Sequence, residues 1–352
     1  MNPFNIFKYL PFFLRKKFDE KYIIIESDDW GLERALSVES IEWMKKKFGE
    51  NKFSRWTLDS LETSDDITGI YDVLEKYTGK FENPPVLTAN FITHNVDYSS
   101  KEILKMIPVS KGFNENSEDV RWLYKIGIAK NYIYPQLHGY SHYNLNELKD
   151  YFLTEEGIEA FNNNFLGGRS TIKGNMSFLQ GELSLKNTNA SNLKEATMVF
   201  SDLFGFYPKT IIPPTFIFDI QHLKILRDNG ITLIQSSNRL ITTDKKRFNF
   251  PYFQKRKGLY WSIRNSRLDP NPEYNFYHEQ CINSIEKAFE NRSPAIIDFH
   301  RVNFAGKFNP DYKQTTLKEL KLLLDKIYEK WPEAKFIHTQ TLNDMLWQQE
   351  TK

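Results

Sequence analysis

Three features of the sequence predict an α/β fold with mostly parallel strands. Short apolar runs rich in β-branched residues alternate with longer amphipathic stretches, giving about seven or eight strand–helix units. Polar and titratable residues stand directly after several of those runs, where parallel sheets place their chemistry. No long Gly/Ser linker and no internal repeat interrupts the 352 residues, a length ordinary for a single α/β barrel with loops.

The elements follow in order. Residues 1–21 form a basic, aromatic segment in which Leu10, Phe12, Phe13 and Leu14 precede Arg15, Lys16 and Lys17. Its apolar runs are too short for a signal peptide, and a short amphipathic helix docked on the domain or on a membrane surface is expected. Tyr22 to Ser27 reads as a buried strand. Ser64 opens a helix with Ile67, Ile70, Val73, Leu74 and Tyr77 on one face and Gly79 just beyond it. Val86 to Thr93 and Ile133 to Gln136 are the next strands. Ser191 begins a helix stopped by Gly205, and Thr210 to Ile212 is a strand cut off by Pro213 and Pro214. A helix capped by Asp219 ends at Asn229-Gly230, followed by strands at Ile231 to Gln235 and Leu259 to Arg264. Asn275 to Glu290 is helical, Ala295 to His300 a strand, Thr315 to Lys330 a long helix and Lys335 to His338 a last strand. Residues 22–352 are thus expected to form one domain.

Composition narrows the function classes. Basic and acidic residues number 47 and 45, so no whole-molecule field draws in nucleic acid; Lys245-Lys246-Arg247 and Lys255-Arg256-Lys257 read as solvated loops. The single cysteine, Cys281, excludes an intramolecular disulfide and a cysteine zinc site. Nothing approaches the roughly 18 apolar residues that span a bilayer. The expected location is cytoplasmic, with peripheral membrane contact through the N-terminal segment as an option. Aromatic residues make up 15%, chiefly for the core, although ring faces also stack on sugars.

Three strand ends carry the chemistry. After the first strand comes Ser27-Asp28-Asp29-Trp30-Gly31. Alternation along a strand would aim the two carboxylates in different directions, one toward a cation and one free as a base. After the Ile133 strand, His138 and His142 are four residues apart and able to converge on one ion. After the Ala295 strand, Asp298 and His300 share a face by period two, an arrangement suited to orienting a general acid. Each has a plainer reading: a surface turn, two unrelated histidines, and a buried ion pair closing the sheet. Together they supply two histidines and a carboxylate with open positions left on the metal, the pattern of a hydrolytic site. His94 also follows a strand and is expected to be structural. His222 and His278 fall in helical patterns and are not expected as ligands.

From Tyr22 to about Phe304, the order and spacing of these steps resemble the polysaccharide deacetylase family, the NodB-like proteins of carbohydrate esterase family 4 type. A divergent branch found among cell-surface glycan genes is similar in its Ser-Asp-Asp-Trp-Gly, Thr-Ala-Asn and His-Arg-Val-Asn steps. The resemblance implies a distorted (β/α)₇ barrel. It implies Asp28 as catalytic base, His300 as general acid, and Asp29, His138 and His142 as ligands of a divalent metal. Zinc is the first expectation, with cobalt, nickel or manganese as other ions such a site accepts. Trp30, Thr215, Phe216, Asp298 and Arg301 are the expected substrate-binding residues. A backbone N–H near Thr215 or Phe216 would serve the oxyanion.

Three departures stand out. Trp30 occupies the place of a glycine, Gly139 that of a serine or threonine, and residues 211–216 lack the arginine that orients the base. Arg169, Arg264 and Arg301 are the candidates to replace it. The expected activity is acetyl removal, from nitrogen or oxygen, on a cell-surface polysaccharide or its precursor. Two alternatives use the same barrel: a weak or inactive glycan-binding protein, and a metal-dependent glycosidase.

Overall fold

The computed structural model describes residues 16–49, 55–100, 102–112, 117–166, 179–184, 190–237, 253–271 and 275–348. The chain runs β1 (Tyr22–Trp30), α1 (Val38–Phe48), α2 (Ser64–Glu75), β2 (Leu87–Ile92), β3 (His94–Val96), β4 (Met106–Pro108), α3 (Val109–Gly112), α4 (Ser117–Ala129) and β5 (Ile133–Gly139). It continues through α5 (Leu145–Phe152), α6 (Glu155–Asn162), α7 (Ala190–Phe204), β6 (Thr210–Ile211), α8 (Leu223–Asp228), β7 (Leu233–Ser237), β8 (Lys255–Arg256), β9 (Leu259–Arg264) and β10 (Ser266–Arg267). It ends with α9 (His278–Glu290), β11 (Ala295–His300), α10 (Pro310–Lys330), β12 (Lys335–Phe336) and α11 (Thr339–Gln348).

The fold is α/β with mostly parallel strands. The main sheet has the order β10-β11-β1-β2-β5-β6-β7-β9-β8, with β12 also paired to β1, and only β8–β9 is antiparallel within it. Its chemistry-bearing strands are locked in register, with Glu26 beside Asp298 and Asp28 beside His300.

Local chemistry explains several boundaries. Thr63 and Asp66 form a reciprocal capping box that starts α2 at Ser64, as the sequence predicts. The long helix α10 begins five residues before the expected Thr315. Asn309 caps it through Tyr312 N–H, and Pro310 supplies a φ suited to the first helical position. The Asn275 to Glu290 segment becomes helical only at His278. Helices α1, α3, α4, α5, α6 and α11 were not singled out from the sequence.

Period-two alternation along β1 divides the interior. Ile23 and Ile25 join the main apolar cluster with Ile67, Ile70 and Leu324 from the surrounding helices. On the other face, Ile24 packs with Leu233, Ile296, Leu342 and Leu346, so α11 closes the floor beneath the sheet. Above that floor the same face turns polar. Asn90 and Gln235 exchange two amide hydrogen bonds of 2.9 and 3.0 Å. Gln235 also donates to Thr210, which donates to Gln136. Asn90, Gln235 and Thr210 thus pair with one another and with Gln136 Oε1 in a connected buried network.

The N-terminal segment lies largely outside the described residues, as do Arg169 and Lys245-Lys246-Arg247. Of its described end, Phe18 is buried beside Tyr22 and Phe253. No helix among the described residues is long and apolar enough to cross a membrane.

Candidate active site

A cleft of roughly 290 Å³ opens above the polar layer, lined by Asp28, Asp29, Arg34, Trp56, His138, His142, Gln180, Pro213, Thr215, Phe216 and His300. Simple alternation fails at Asp28-Asp29. The β1–β2 register breaks between Ser27 and Trp30, and Asp29 takes φ +69°. This bulge turns both carboxylates into one cleft, where a regular strand would send them to opposite faces. Of the eleven non-glycine residues with positive φ among the described residues, Asp29, His142, Thr215 and Phe216 line this cleft. Strain is concentrated where side chains must converge.

Asp29, His138 and His142 offer ligand atoms within 4.8 Å of one another. Asp29 Oδ1 lies 3.3 Å from His138 Nε2 and 3.4 Å from His142 Nε2. Two atoms bound tetrahedrally at about 2.0–2.1 Å would be separated by about 3.3 Å, so these spacings suit a zinc-sized ion. His138 Nδ1 is hydrogen-bonded to Ile212 O at 2.9 Å, which fixes the ring and leaves Nε2 for a metal. Asp29 Oδ1 is buried with no hydrogen-bond partner among the described residues. Linked ion pairs join Glu26, Asp28, Asp29, Asp59, Glu62, Asp269 and Asp298 to Arg34, Arg55, Arg264, Arg267 and Arg301. These pairs form two groups, Asp29, Asp59 and Glu62 with Arg34 and Arg301, and Glu26, Asp28, Asp269 and Asp298 with Arg55, Arg264 and Arg267, and in each the carboxylates outnumber the guanidinium groups by one. The donor set therefore fits a divalent ion.

The electrostatics agree. Burial pushes the Asp29 carboxyl up, but His138, His142 and Arg34 outweigh it and hold the group well below the usual range. Burial drives His142 well below its ordinary value, favouring the neutral, ligand-competent ring. On His138, burial is outweighed by Asp29 and Asp28, which raise it, so metal binding there would release a proton.

Glu182 shapes the loop carrying both histidines. Its buried carboxylate accepts hydrogen bonds from the backbone N–H groups of Tyr140, Ser141 and His142 at 2.8, 3.0 and 3.0 Å. Gly139 has φ +143°, and a Cβ there would lie 2.5 Å from Glu182 Oε2. The glycine thus makes room for the carboxylate.

Asp28 is gripped by Arg264, whose Nη1 and Nη2 donate to its two oxygens at 2.7 and 2.6 Å, while Asn90 donates at 2.8 Å. Burial raises the Asp28 carboxyl, yet Arg264 outweighs it and the group stays below its ordinary value. Arg264 also bonds Glu26 at 2.7 Å and Asp298 at 2.5 Å. Of the two candidate arginines among the described residues, Arg264 is the one at the carboxylate. His300 Nε2 lies 3.9 Å from Asp28 Oδ2, and its Nδ1 lies 3.8 Å from Asp298 Oδ1.

Other expected residues sit elsewhere. Trp30 is fully buried, packed on Phe91 and Phe304, with Nε1–H donating to Ser27 Oγ. Beyond the bulge it pairs with Phe91 and points into the helix layer, so it cannot stack on a ligand at the rim. Arg301 is also fully buried, bound to Asp59 and Glu62, and Glu62 accepts from Gly31 N–H. It supports the turn after Asp29 and does not line the cleft. Phe216 N–H is taken by Pro213 O, leaving Thr215 as the backbone donor of that turn. His94 stacks on Tyr140 with ring centroids 3.9 Å apart, outside the cleft. His222 bonds Ser184 O and His278 bonds Glu319.

Sequence reasoning missed Trp56, Arg34 and Gln180. Trp56 forms a wall of the cleft, its ring edge-on to His300 at 4.9 Å. It lies in a 3₁₀ turn with no strand before it, so the strand-end signal could not find it. Arg34 Nη2 stands 3.7 Å from Asp29 Oδ2, and Gln180 Nε2 is buried without a hydrogen-bond partner among the described residues. An arginine five residues after the Asp-Asp step was the available signal for Arg34.

Residues 179–346 match the model of glycosyl hydrolase family 57, less than half of the chain. No curated protein matches the sequence. Among solved structures, the chain is similar to 4-alpha-glucanotransferase from Thermococcus litoralis, at 10% identity and TM-score 0.47, over 93% of this chain and 40% of that one. The chain thus spans well under two thirds of that protein's length. It is similar to a family 4 acetyl xylan esterase from Clostridium thermocellum, solved with cobalt, at 10% identity and TM-score 0.43, over 92% and 91% of the two chains. It is also similar to BA3943 from Bacillus anthracis, a CE4 family pseudoenzyme, at 11% identity and TM-score 0.40, over 93% and 67%. At these values the likenesses carry nothing about this chain's reaction.

Proposed function

We propose that this chain is a divalent-metal-dependent hydrolase that removes acetyl groups from a carbohydrate. One observation carries the reading: a two-histidine, one-aspartate set with ligand-like spacing shares a cleft with a second aspartate anchored by an arginine. The reading takes residues 22–352 as one domain of the distorted (β/α)₇ type. In its support, β10 ends the strand order on one side and β9 is next to last on the other, yet the two are separated only by Asn265, whose N–H donates to Ile296 O on β11 at 3.1 Å.

Asp29, His138 and His142 would hold the ion, which when bound supplies Lewis acidity toward an acyl carbonyl and toward water. Asp28, kept ionised by Arg264, accepts a proton from the attacking water. The Thr215 N–H is available to the developing oxyanion. His300, with Asp298 beside Nδ1, donates a proton at Nε2 to the departing sugar nitrogen or oxygen. Trp56 offers an aromatic wall for a sugar ring. The substrate is an acetylated glycan.

Arg264 bears on the inactive alternative, since the base has its guanidinium partner from another strand. The metal-dependent glycosidase remains the second reading, favoured by the glycosyl hydrolase family 57 match. Release of acetate without new reducing ends from acetylated oligosaccharides supports deacetylation; the opposite product supports the glycosidase. Purified protein should hold about one zinc-type ion per chain, lost in Asp29→Ala and His142→Ala. Asp28→Asn should keep the metal and lose turnover by roughly 10²–10⁴-fold. Near-normal turnover in Asp28→Asn would remove it as the base, and metal retained in both ligand variants would sink the proposed site.

A further inference from the structure

The strand ends opposite the cleft carry a different chemistry. Asp28, His138 and His300 stand at the carboxyl ends of β1, β5 and β11, so the amino ends of these parallel strands form the far side of the molecule. There Lys209 immediately precedes β6, and Arg256 and Lys257 lie at the β8–β9 turn; all three are exposed. Strand pairing brings them together: Thr232 N–H donates to Lys209 O at 2.8 Å, and Tyr260 N–H donates to Thr232 O at 3.0 Å. Arg227, near the end of α8, joins the group by donating from Nη1 to Lys257 O at 2.6 Å. Tyr207, two residues before Lys209, is 58% exposed.

These charges are not neutralised locally. Acidic residues at this end have partners of their own: Asp228 pairs with Lys224 at 2.6 Å, Asp19 with Arg292 and Glu20 with Lys335, while Asp344 accepts from Gln340. Among the described residues no carboxylate pairs with Lys209, Arg256 or Lys257. The whole chain is nearly balanced, at +2, so the positive charge is concentrated at one end of it.

The composition of the preceding segment is a second, independent signal. Residues 1–18 contain four basic residues, no acidic one, and Phe4, Phe7, Phe12 and Phe13. The segment joins the domain at this same end: Phe18 is buried against Phe253, with ring centroids 5.4 Å apart, and Phe253 lies two residues before Lys255 of β8. One weak anchor holds a protein on a bilayer only marginally, whereas an apolar segment beside a basic patch gives the two signals that stable attachment needs. A nucleic acid would answer the charges but offer no hydrocarbon boundary to the aromatic residues, and an exposed tyrosine suits the headgroup level.

We infer that this end of the molecule docks on an anionic lipid surface through Lys209, Arg227, Arg256, Lys257 and Tyr207, with the cleft turned away from the bilayer. The inference is independent of the reaction assigned to the cleft.

The test uses the full chain and vesicles of phosphatidylcholine, alone or mixed with phosphatidylglycerol. Co-sedimentation should show binding to the mixed vesicles only, weakening as salt rises. Combining Lys209→Glu, Arg256→Glu and Lys257→Glu should lower that affinity at least about tenfold at an unchanged thermal midpoint. Orientation is read from a polarity-sensitive dye attached at Tyr207→Cys or, separately, at Val38→Cys. Val38 is exposed at the start of α1, reached from the cleft end of β1, and the native Cys281 is buried and stays unlabelled. On mixed vesicles the emission should shift to the blue for the dye at 207 and not for the dye at 38. Should the triple variant fold poorly, the two dye positions decide alone. No binding to mixed vesicles, equal binding to both kinds, wild-type affinity in the folded triple variant, or a blue shift at 38 in place of 207 overturns the inference. Duplex DNA bound in place of the vesicles would assign the face to a polyanion and overturn it equally.

Discussion

Gly139 shows how one residue carries a constraint from outside its own motif. Its φ of +143° is open to glycine and poor for other residues, and the space a Cβ would take is filled by the Glu182 carboxylate. That carboxylate organises three successive N–H groups ending at His142. Gly139→Ala is therefore expected to destabilise the protein by about 2–4 kcal/mol and to weaken metal binding at least about tenfold. Denaturant unfolding and a metal titration would check this; wild-type values in both would show that the loop does not depend on the fit. Gln180 and Arg34 belong to the same scale, being buried polar groups held at the edge of the cleft.

Among the elements, β1 and β9 do most to build the site. The bulge in β1 brings Asp28 and Asp29 into the same cleft, and β9 ends on Arg264, which binds Glu26 and Asp28 of β1 and Asp298 of β11. A guanidinium fork can serve three carboxylates at once, whereas an ammonium group cannot reproduce its planar geometry. Arg264→Met would strand those carboxylates and should cost about 3–5 kcal/mol. Arg264→Lys should retain more stability but lower turnover roughly 10²-fold, with metal still bound. A thermal midpoint unchanged in Arg264→Met would show that the pairs are replaceable by water.

At the scale of the whole molecule, stability should pass through a maximum with pH. Burial holds the Glu33 carboxyl up at about 7 against an ordinary 4.5. Between those values the folded chain keeps a proton the unfolded chain has lost, so this group makes stability fall as pH rises. Burial lowers His94 and His338 to about 4 from 6.5. Over that window the unfolded chain binds more protons, so these groups make stability rise with pH. Glu33→Gln should therefore stabilise the protein at pH 8 by about 2 kcal/mol and do much less at pH 5. Unfolding midpoints at the two values decide it, and an equal effect at both would mean Glu33 titrates normally.

The alternation of apolar runs and amphipathic stretches was sufficient to predict a mostly parallel sheet, because periodicity is local and burial enforces it. The same logic put His138, His142, Asp298 and His300 at strand ends, where their register now brings them to one region. Two expectations failed for a shared reason. Trp30 points into the core, and Asp28 and Asp29 point together, because a bulge shifts every side chain after it and no composition signal marks its position. The partners of Asp28 were equally hidden: Arg264 is 236 residues away, and three arginines looked equivalent. Residue types and spacings alone determined which groups were available for chemistry. Which of them meet was decided by tertiary structure, since strand order, register and a left-handed turn at Asp29 set the distances between residues far apart in the chain.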